Sequence, residues 1–253
     1  MASVFTDIND IPYTIDLSGD IIESSYSNII SKNRIKKIFI GSNVTMISDG
    51  LFHTIETLDE VEFDISCNIT IFGKQVFETC SHLKKVSNIP NVTVSMGIST
   101  FVDCSNLESV TFSPTFEYHA IQDWTFLACS SLTSITIPTS VTSIGEFAFK
   151  DASSLKTVTF KDDSQLTSIG SLVFEDATSL TSITIPSSVT SIENGAFKKS
   201  GLTSVTFEAG SQLASIGIET FSATTNLTSI TIPASVTSIG NNAFLDSDLT
   251  EAT

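Results

Sequence analysis

Apolar and polar positions alternate in short bursts that recur along most of the chain. In Ser134-Ile135-Thr136-Ile137 the two isoleucines fall on one side and the hydroxyls on the other. A period of two built from β-branched residues predicts a half-buried strand. Pro138, Pro186 and Pro233 close three such bursts. Proline has no N–H to give to a ladder, so each marks a strand end. A second apolar pair follows, Val141/Ile144, Val189/Ile192 and Val236/Ile239, and predicts a second short extended segment. Gly145, Gly170, Gly217 and Gly240 then predict a turn. The stretch from Glu146 through Phe149 to Ser153 predicts a short helical or 3₁₀ turn on the opposite side.

A phenylalanine closes each copy of the pattern, at 52, 77, 101, 126, 149, 174, 197, 221 and 244. The intervals are 25, 24, 25, 23, 25, 23, 24 and 23 residues. Self-similarity at such a period is the mark of a solenoid, whose coils stack rather than surround one core. Repeats begin at Ile35, Leu58, Leu83, Leu107, Leu132, Leu155, Leu180, Leu202 and Leu227, and a tenth starts at Leu249. From Leu107 onward, short repeats reading Ile-Thr-Ile-Pro alternate with long ones reading Val-Thr-Phe, which suggests duplication of a pair. The expected organisation is a degenerate N-terminal capping repeat over 1–34, then a solenoid over 35–253 of nine repeats and a truncated tenth. Pro12, Ile15, Leu17, Ile29 and Ile30 fit the pattern within the cap. With no cap in sight at the other end, the last coil is an expected surface for end-to-end self-association.

The spacing Leu-x-x-Ile-x-Ile-Pro-x-x-Val-x-x-Ile-Gly-x-x-Ala-Phe-x-x-Cys-x-x-Leu resembles the BspA-like class of leucine-rich repeats. The likeness covers residues 35–253 and is strongest from Leu107 onward. It implies a β-rich α/β repeat fold, a right-handed leucine-rich-repeat solenoid or horseshoe. One face carries a parallel sheet, and the other carries short strands, turns and short helices. It also implies surface proteins of bacteria and protists that bind host or matrix molecules, or other cells. The acidic start Met1–Asp10 does not read as a secretory signal.

Composition narrows the partners. The formal net charge is −16, with 12 Lys and Arg, and none of these lies between Val86 and Phe149. Nucleic acid is excluded as a partner, because phosphates need clustered cations. The group Lys32, Arg34, Lys36 and Lys37 reads as a solvated strand edge. No stretch approaches the ~20 apolar residues of a membrane-spanning helix.

No residues converge for catalysis, a cofactor or a metal. Cys80, Cys104 and Cys129 each stand three residues before the first Leu of a repeat, where others carry Ala152, Ala177 or Thr224. A position shared with alanine is a packing position, and finger-type metal spacings are lacking. Cys67 reads as a free thiol in a loop, and His53, His82 and His119 as surface residues. Asn43, Asn68, Asn91 and Asn226 open sequons that could carry glycans in a secreted eukaryotic protein. The outward strand positions differ along the chain. The last six repeats, from Ser109/Thr111 to Ser229/Thr231, present only Ser and Thr, a pattern expected to hydrogen-bond along the sheet. The first three present Lys37/Phe39, Glu60/Glu62 and Lys85/Ser87, and Tyr118, His119 and Trp124 add variety nearby. Aromatic anchors and patterned charge favour recognition, so a protein or glycan ligand is expected there. The leading expectation is a non-enzymatic binding or adhesion module. The rivals are a self-assembling structural rod and ice binding through the Ser/Thr rows.

Overall fold

The computed structural model describes residues 3–7, 12–15, 19–21 and 35–252. The chain divides into two compact units, Met1–Tyr118 and His119–Thr253. Each is a β-solenoid of parallel strands stacked one coil apart.

In the first unit the main sheet joins Ile35–Ile40, Glu60–Phe63, Lys85–Ile89 and Ser109–Phe112. Its register aligns Lys37, Glu60, Lys85 and Ser109, and on the inner side Ile38, Val61, Val86 and Val110. A second sheet joins Gly19–Ile21, Val44–Ile47, Asn68–Phe72 and Asn91–Met96. Ser3–Asp7 runs antiparallel to both Pro12–Ile15 and Ile35–Ile40. Of the expected cap, Leu17, Ile29 and Ile30 lie outside the described residues, as do Lys32 and Arg34.

The second unit repeats the plan with shorter strands. Its main strands pair as Ser134–Ile137 with Thr157–Phe160, Ser182–Ile185 with Ser204–Phe207, and Ser229–Ile230 with Glu251–Ala252. Its second sheet is continuous from Ala120–Ile121 to Ser238–Ile239 and aligns the Ser-Ile pairs from Ser143-Ile144 onward.

The phenylalanine ladder lies in the core of each coil. Phe52 stacks on Phe77 and Phe77 on Phe101, each at 5.4 Å between ring centroids. In the second unit the stack runs Phe126, Phe149, Phe174, Phe197, Phe221 and Phe244 at 5.2–5.5 Å. All but Phe244, which is half-buried, are inaccessible. Near-parallel offset rings spaced by the coil rise combine burial with favourable ring geometry.

The short helical turns expected beside this ladder do not form: the described residues contain no helix. Each coil instead has left-handed residues two before and two after its phenylalanine. Around Phe149 they are Phe147 and Asp151, and around Phe174 they are Leu172 and Asp176. With these two positions left-handed, every second N–H group of the turn points along the coil axis. Leu172, Phe174 and Asp176 therefore donate to the carbonyls of Asn194, Ala196 and Lys198 of the next coil, at 2.9, 2.7 and 3.1 Å. A left-handed non-glycine residue costs of order 1–2 kcal/mol, and the inter-coil bonds offset that strain.

The cysteine positions pack as their spacing predicts. Cys80 and Cys104 are buried free thiols whose Sγ atoms donate to the carbonyls of Phe52 and Phe77 in the preceding coil, each at 3.1 Å. Thr224 fills the same position, and its Oγ1 donates to the Phe221 carbonyl at 2.7 Å. Cys67 is also free but is buried in its turn. Burial, with Asp64 nearby, pushes its thiol up to about 12, so it is a packed thiol with little thiolate character.

Candidate interaction surface

The first unit gathers most of the predicted residues on the outward face of its main sheet. Parallel register places Lys37, Glu60 and Lys85 in one row and Phe39, Glu62 and Ser87 in the next. Side chains of opposite charge one coil apart meet directly. Lys37 Nζ lies 3.2 Å from a carboxylate oxygen of both Glu60 and Glu62, and Lys85 Nζ lies 3.2 Å from Glu60. A second row repeats the alternation, with Asp59 3.9 Å from Lys36 and 3.7 Å from Lys84. Phe39 stands half-buried beside this network.

The charges therefore meet each other before they meet a ligand. Burial raises the Glu60 carboxyl, but hydrogen bonds from Lys85 and Lys37 outweigh it and hold the group below the ordinary carboxylate range. The folded protein thus favours ionised Glu60. Its contribution is complete above the unfolded pKa of about 4.3 and is lost as pH falls through the lower folded value. Glu60→Gln is expected to cost about 0.5–1 kcal/mol near pH 7, and progressively less at an acidic pH below the lowered folded pKa. Urea midpoints of the two proteins at both pH values check this.

Tyr118 is half-buried at the end of the first unit. The second unit holds His119 and Trp124, and neither is in its main sheet. His119 is exposed, its Nδ1 is 3.1 Å from the Ser140 carbonyl oxygen, and its own carbonyl accepts from Thr142 Oγ1 at 3.0 Å. Trp124 is a left-handed turn residue whose ring stacks on Phe147, itself left-handed, at 6.3 Å. Lys150 Nζ sits 5.8 Å over the Phe147 ring and pairs with Glu175. The hydrogen bond to Glu175 holds the Lys150 ammonium above the ordinary lysine range. The sequence singled out Trp124 but not its neighbours Phe147, Lys150 and Glu175, because nothing in the residue types at 124 and 147 signals a left-handed turn.

The hydroxyl rows divide into two kinds. Thr142, Thr167, Thr190 and Thr237 each donate Oγ1 to a carbonyl of the preceding coil, at 3.0–3.2 Å. These hydroxyls stitch coils together. The outward main-strand rows, from Ser134/Thr136 to Ser204/Thr206, are exposed, and among the described residues their hydroxyls make no bond to one another. The expectation that the outward hydroxyls bond along the sheet is not met in these rows; threonines beside the second sheet make the inter-coil bonds instead. The outward hydroxyls remain available to solvent or to a ligand.

Among the described residues no group of three His, Cys, Asp or Glu side chains could hold a metal ion. No helix among them is long and apolar enough to cross a membrane.

The family model for the BspA type leucine rich repeat region matches residues 20–119 and 119–251, in six copies. The chain belongs to the BspA-type leucine-rich-repeat family. No curated protein sequence matches it. Solved structures carry the same fold. A leucine-rich cell surface protein from Faecalibacterium prausnitzii is 25% identical with a TM-score of 0.58, over 87% of this chain and 72% of that one. The pneumococcal vaccine antigen PcpA is 17% identical with a TM-score of 0.52, over 98% of this chain and 69% of that one. In this BspA-type chain, as the family pattern requires, the shared positions are inward and the differences between coils lie outward.

Proposed function

We propose that the chain is a non-enzymatic recognition module of a cell surface, binding a protein or glycan on the outward faces of its repeat-built sheets. The observation that carries this is the division of labour within each coil. Inward Leu, Ile and Phe side chains, glycines and stitching threonines are engaged in holding coils together. The outward row of the first unit varies in charge and carries Phe39, and the outward hydroxyls of the second unit are unbonded. The likeness to the Faecalibacterium cell surface protein supports the location.

Within this reading Phe39, Glu60 and Glu62, flanked by Lys37 and Lys85, form the primary contact. Tyr118, His119 and Trp124 are secondary candidates. A ligand would have to open an ion-paired row, which favours a partner bringing charges of its own. Binding is tested on arrays of glycans and immobilised matrix glycoproteins, with the triple variant Phe39→Ala, Glu60→Ala, Glu62→Ala as the comparison. Loss of a bound partner with the fold intact supports the site, and undiminished binding refutes it.

A second reading, self-association, rests on the exposed apolar side chains Ile218, Ile239 and Leu245, which are 46%, 50% and 47% exposed. Sedimentation velocity over a wide concentration range separates the two, since a monomer throughout excludes assembly. Ice binding is disfavoured, because the main sheet of the second unit is not continuous.

A further inference from the structure

The long coils of the second unit end their main strands differently from the short ones. Register sets Phe160 in the column of Ile137, and Phe207 in the column of Ile185. Both isoleucines are wholly buried, whereas both phenylalanines are only half-buried. Each ring therefore forgoes part of the burial that the same column gives isoleucine.

Each phenylalanine lines a slot that opens on the outward face. The slot at Phe160, of about 310 Å³, also takes in Thr157, Thr159, Ser182 and Thr184. The slot at Phe207, of about 530 Å³, takes in Thr206, Ser211, Thr231 and Ser235. Both lie at steps where neighbouring main strands do not pair, Thr157–Phe160 beside Ser182–Ile185 and Ser204–Phe207 beside Ser229–Ile230. Thr159, Thr184, Thr206 and Thr231 are exposed, and their hydroxyls bond to no protein group among the described residues. Ser235 Oγ, in the wall of the wider slot, is enclosed and has no partner either. Apart from Lys156 and Glu208, neither slot carries a charge.

An aromatic side chain amid unbonded hydroxyls matches a sugar ring, which is apolar on its C–H faces and carries hydroxyls around its edge. Two coils of parallel strand span about 10 Å. In an extended β-1,4-linked glycan each sugar is flipped relative to the last. The same ring face therefore recurs at every second sugar, and two sugars cover nearly that span. An extended peptide repeats its side-chain direction about every 6.8 Å, which keeps no register with the two rings. Charge selects among glycans, because a chain of net charge −16 repels polyanions.

We infer that Phe160 and Phe207 are the platforms of a second binding site, which takes an uncharged β-1,4-linked glycan lying along the coil axis, with one sugar over each ring and one between them. The outward hydroxyls of Thr159, Thr184, Thr206 and Thr231 hydrogen-bond the sugar edges. The inference rests on the recognition role proposed above. It gives that role a ligand class and a surface apart from the charged row at Phe39, Glu60 and Glu62.

Isothermal titration of the whole chain with cellohexaose and with chitohexaose tests it. At least one hexamer is expected to bind, about ten-fold or more tighter than the matching disaccharide, which cannot reach both rings. Phe160→Ala and Phe207→Ala should each weaken that binding about ten-fold, with circular dichroism confirming the fold. Phe207→Tyr, which keeps a ring, should bind like the parent chain. The triple variant Phe39→Ala, Glu60→Ala, Glu62→Ala should also bind the hexamer unchanged. Maltohexaose, whose α-linked chain coils, and a proline-rich peptide, whose three-residue turn is about 9.3 Å long, are the controls. Equal binding of either control would overturn the ligand class. No binding of either hexamer, or hexamer binding indifferent to both alanine variants, would overturn the site. Such a failure leaves the wider recognition role to the glycan and glycoprotein arrays, which judge it separately.

Discussion

Phe174→Ala is expected to destabilise the protein by about 3–5 kcal/mol, the usual cost of emptying a buried aromatic site. Phe174 is inaccessible and lies between Phe149 at 5.5 Å and Phe197 at 5.3 Å. Removing the ring empties a core site and strips one face from each neighbour. Backbone bonds on both sides of it, to Ala196 among others, limit collapse of the coil into the space. The loss should therefore lie in the upper part of that range. Phe244→Ala, at the half-buried end of the same stack with one neighbour at 5.4 Å, should cost clearly less. Urea melts of the two variants compare them directly, and equal losses would mean that the stack does not set the coil register.

Gly97→Ala is expected to be as damaging, although it adds a single methyl group. A Cβ at Gly97 would lie 2.2 Å from the Gly73 carbonyl oxygen and 2.4 Å from the Lys74 nitrogen, both backbone atoms of the preceding coil. No side chain can move aside, so the two coils must separate and lose the bond from Gly97 N–H to the Phe72 carbonyl, 2.7 Å long. Overpacking of a core costs about 1–3 kcal/mol where side chains can adjust, and a backbone clash should reach or exceed the top of that range. Gly210→Ala is the control. Gly210 has a φ of +76°, but a methyl group there would meet nothing within 4 Å, so the substitution carries only the left-handed penalty of about 1 kcal/mol. Thermal melts should place Gly97→Ala far below Gly210→Ala.

The inward pattern was legible because solenoid stacking turns each core requirement into a column of like residues. The phenylalanines from 52 to 221, the strand isoleucines from Ile135 to Ile216 and the small position shared by Cys80, Cys104 and Thr224 lie buried where the spacing placed them, whereas Ile239 is exposed. The turns were not legible. Their left-handed positions hold Thr54, Asp103, Trp124, Leu172 and Lys199 and only rarely glycine, because inter-coil hydrogen bonds and not residue preference hold that geometry. The outward cluster lies on the face that the alternation predicts, but its pairing depended on which coils align. Only the register that sets Lys37 against Glu60, and Glu60 against Lys85, shows that the charges satisfy each other. Pro186 was legible as a strand end.

The central claim is that each coil is held by its neighbours alone, so that whole repeats are interchangeable parts. Deleting Leu180–Asn226, one short and one long coil, joins Ser179 to Leu227 and recreates the natural junction of a long coil with a short one. The account predicts a shorter protein that still melts cooperatively with an unchanged β signal per residue in circular dichroism. Deleting a segment of equal length displaced by half a coil should abolish the transition. If the in-register deletion also fails to fold, or the displaced one folds equally well, the coil-by-coil account is wrong.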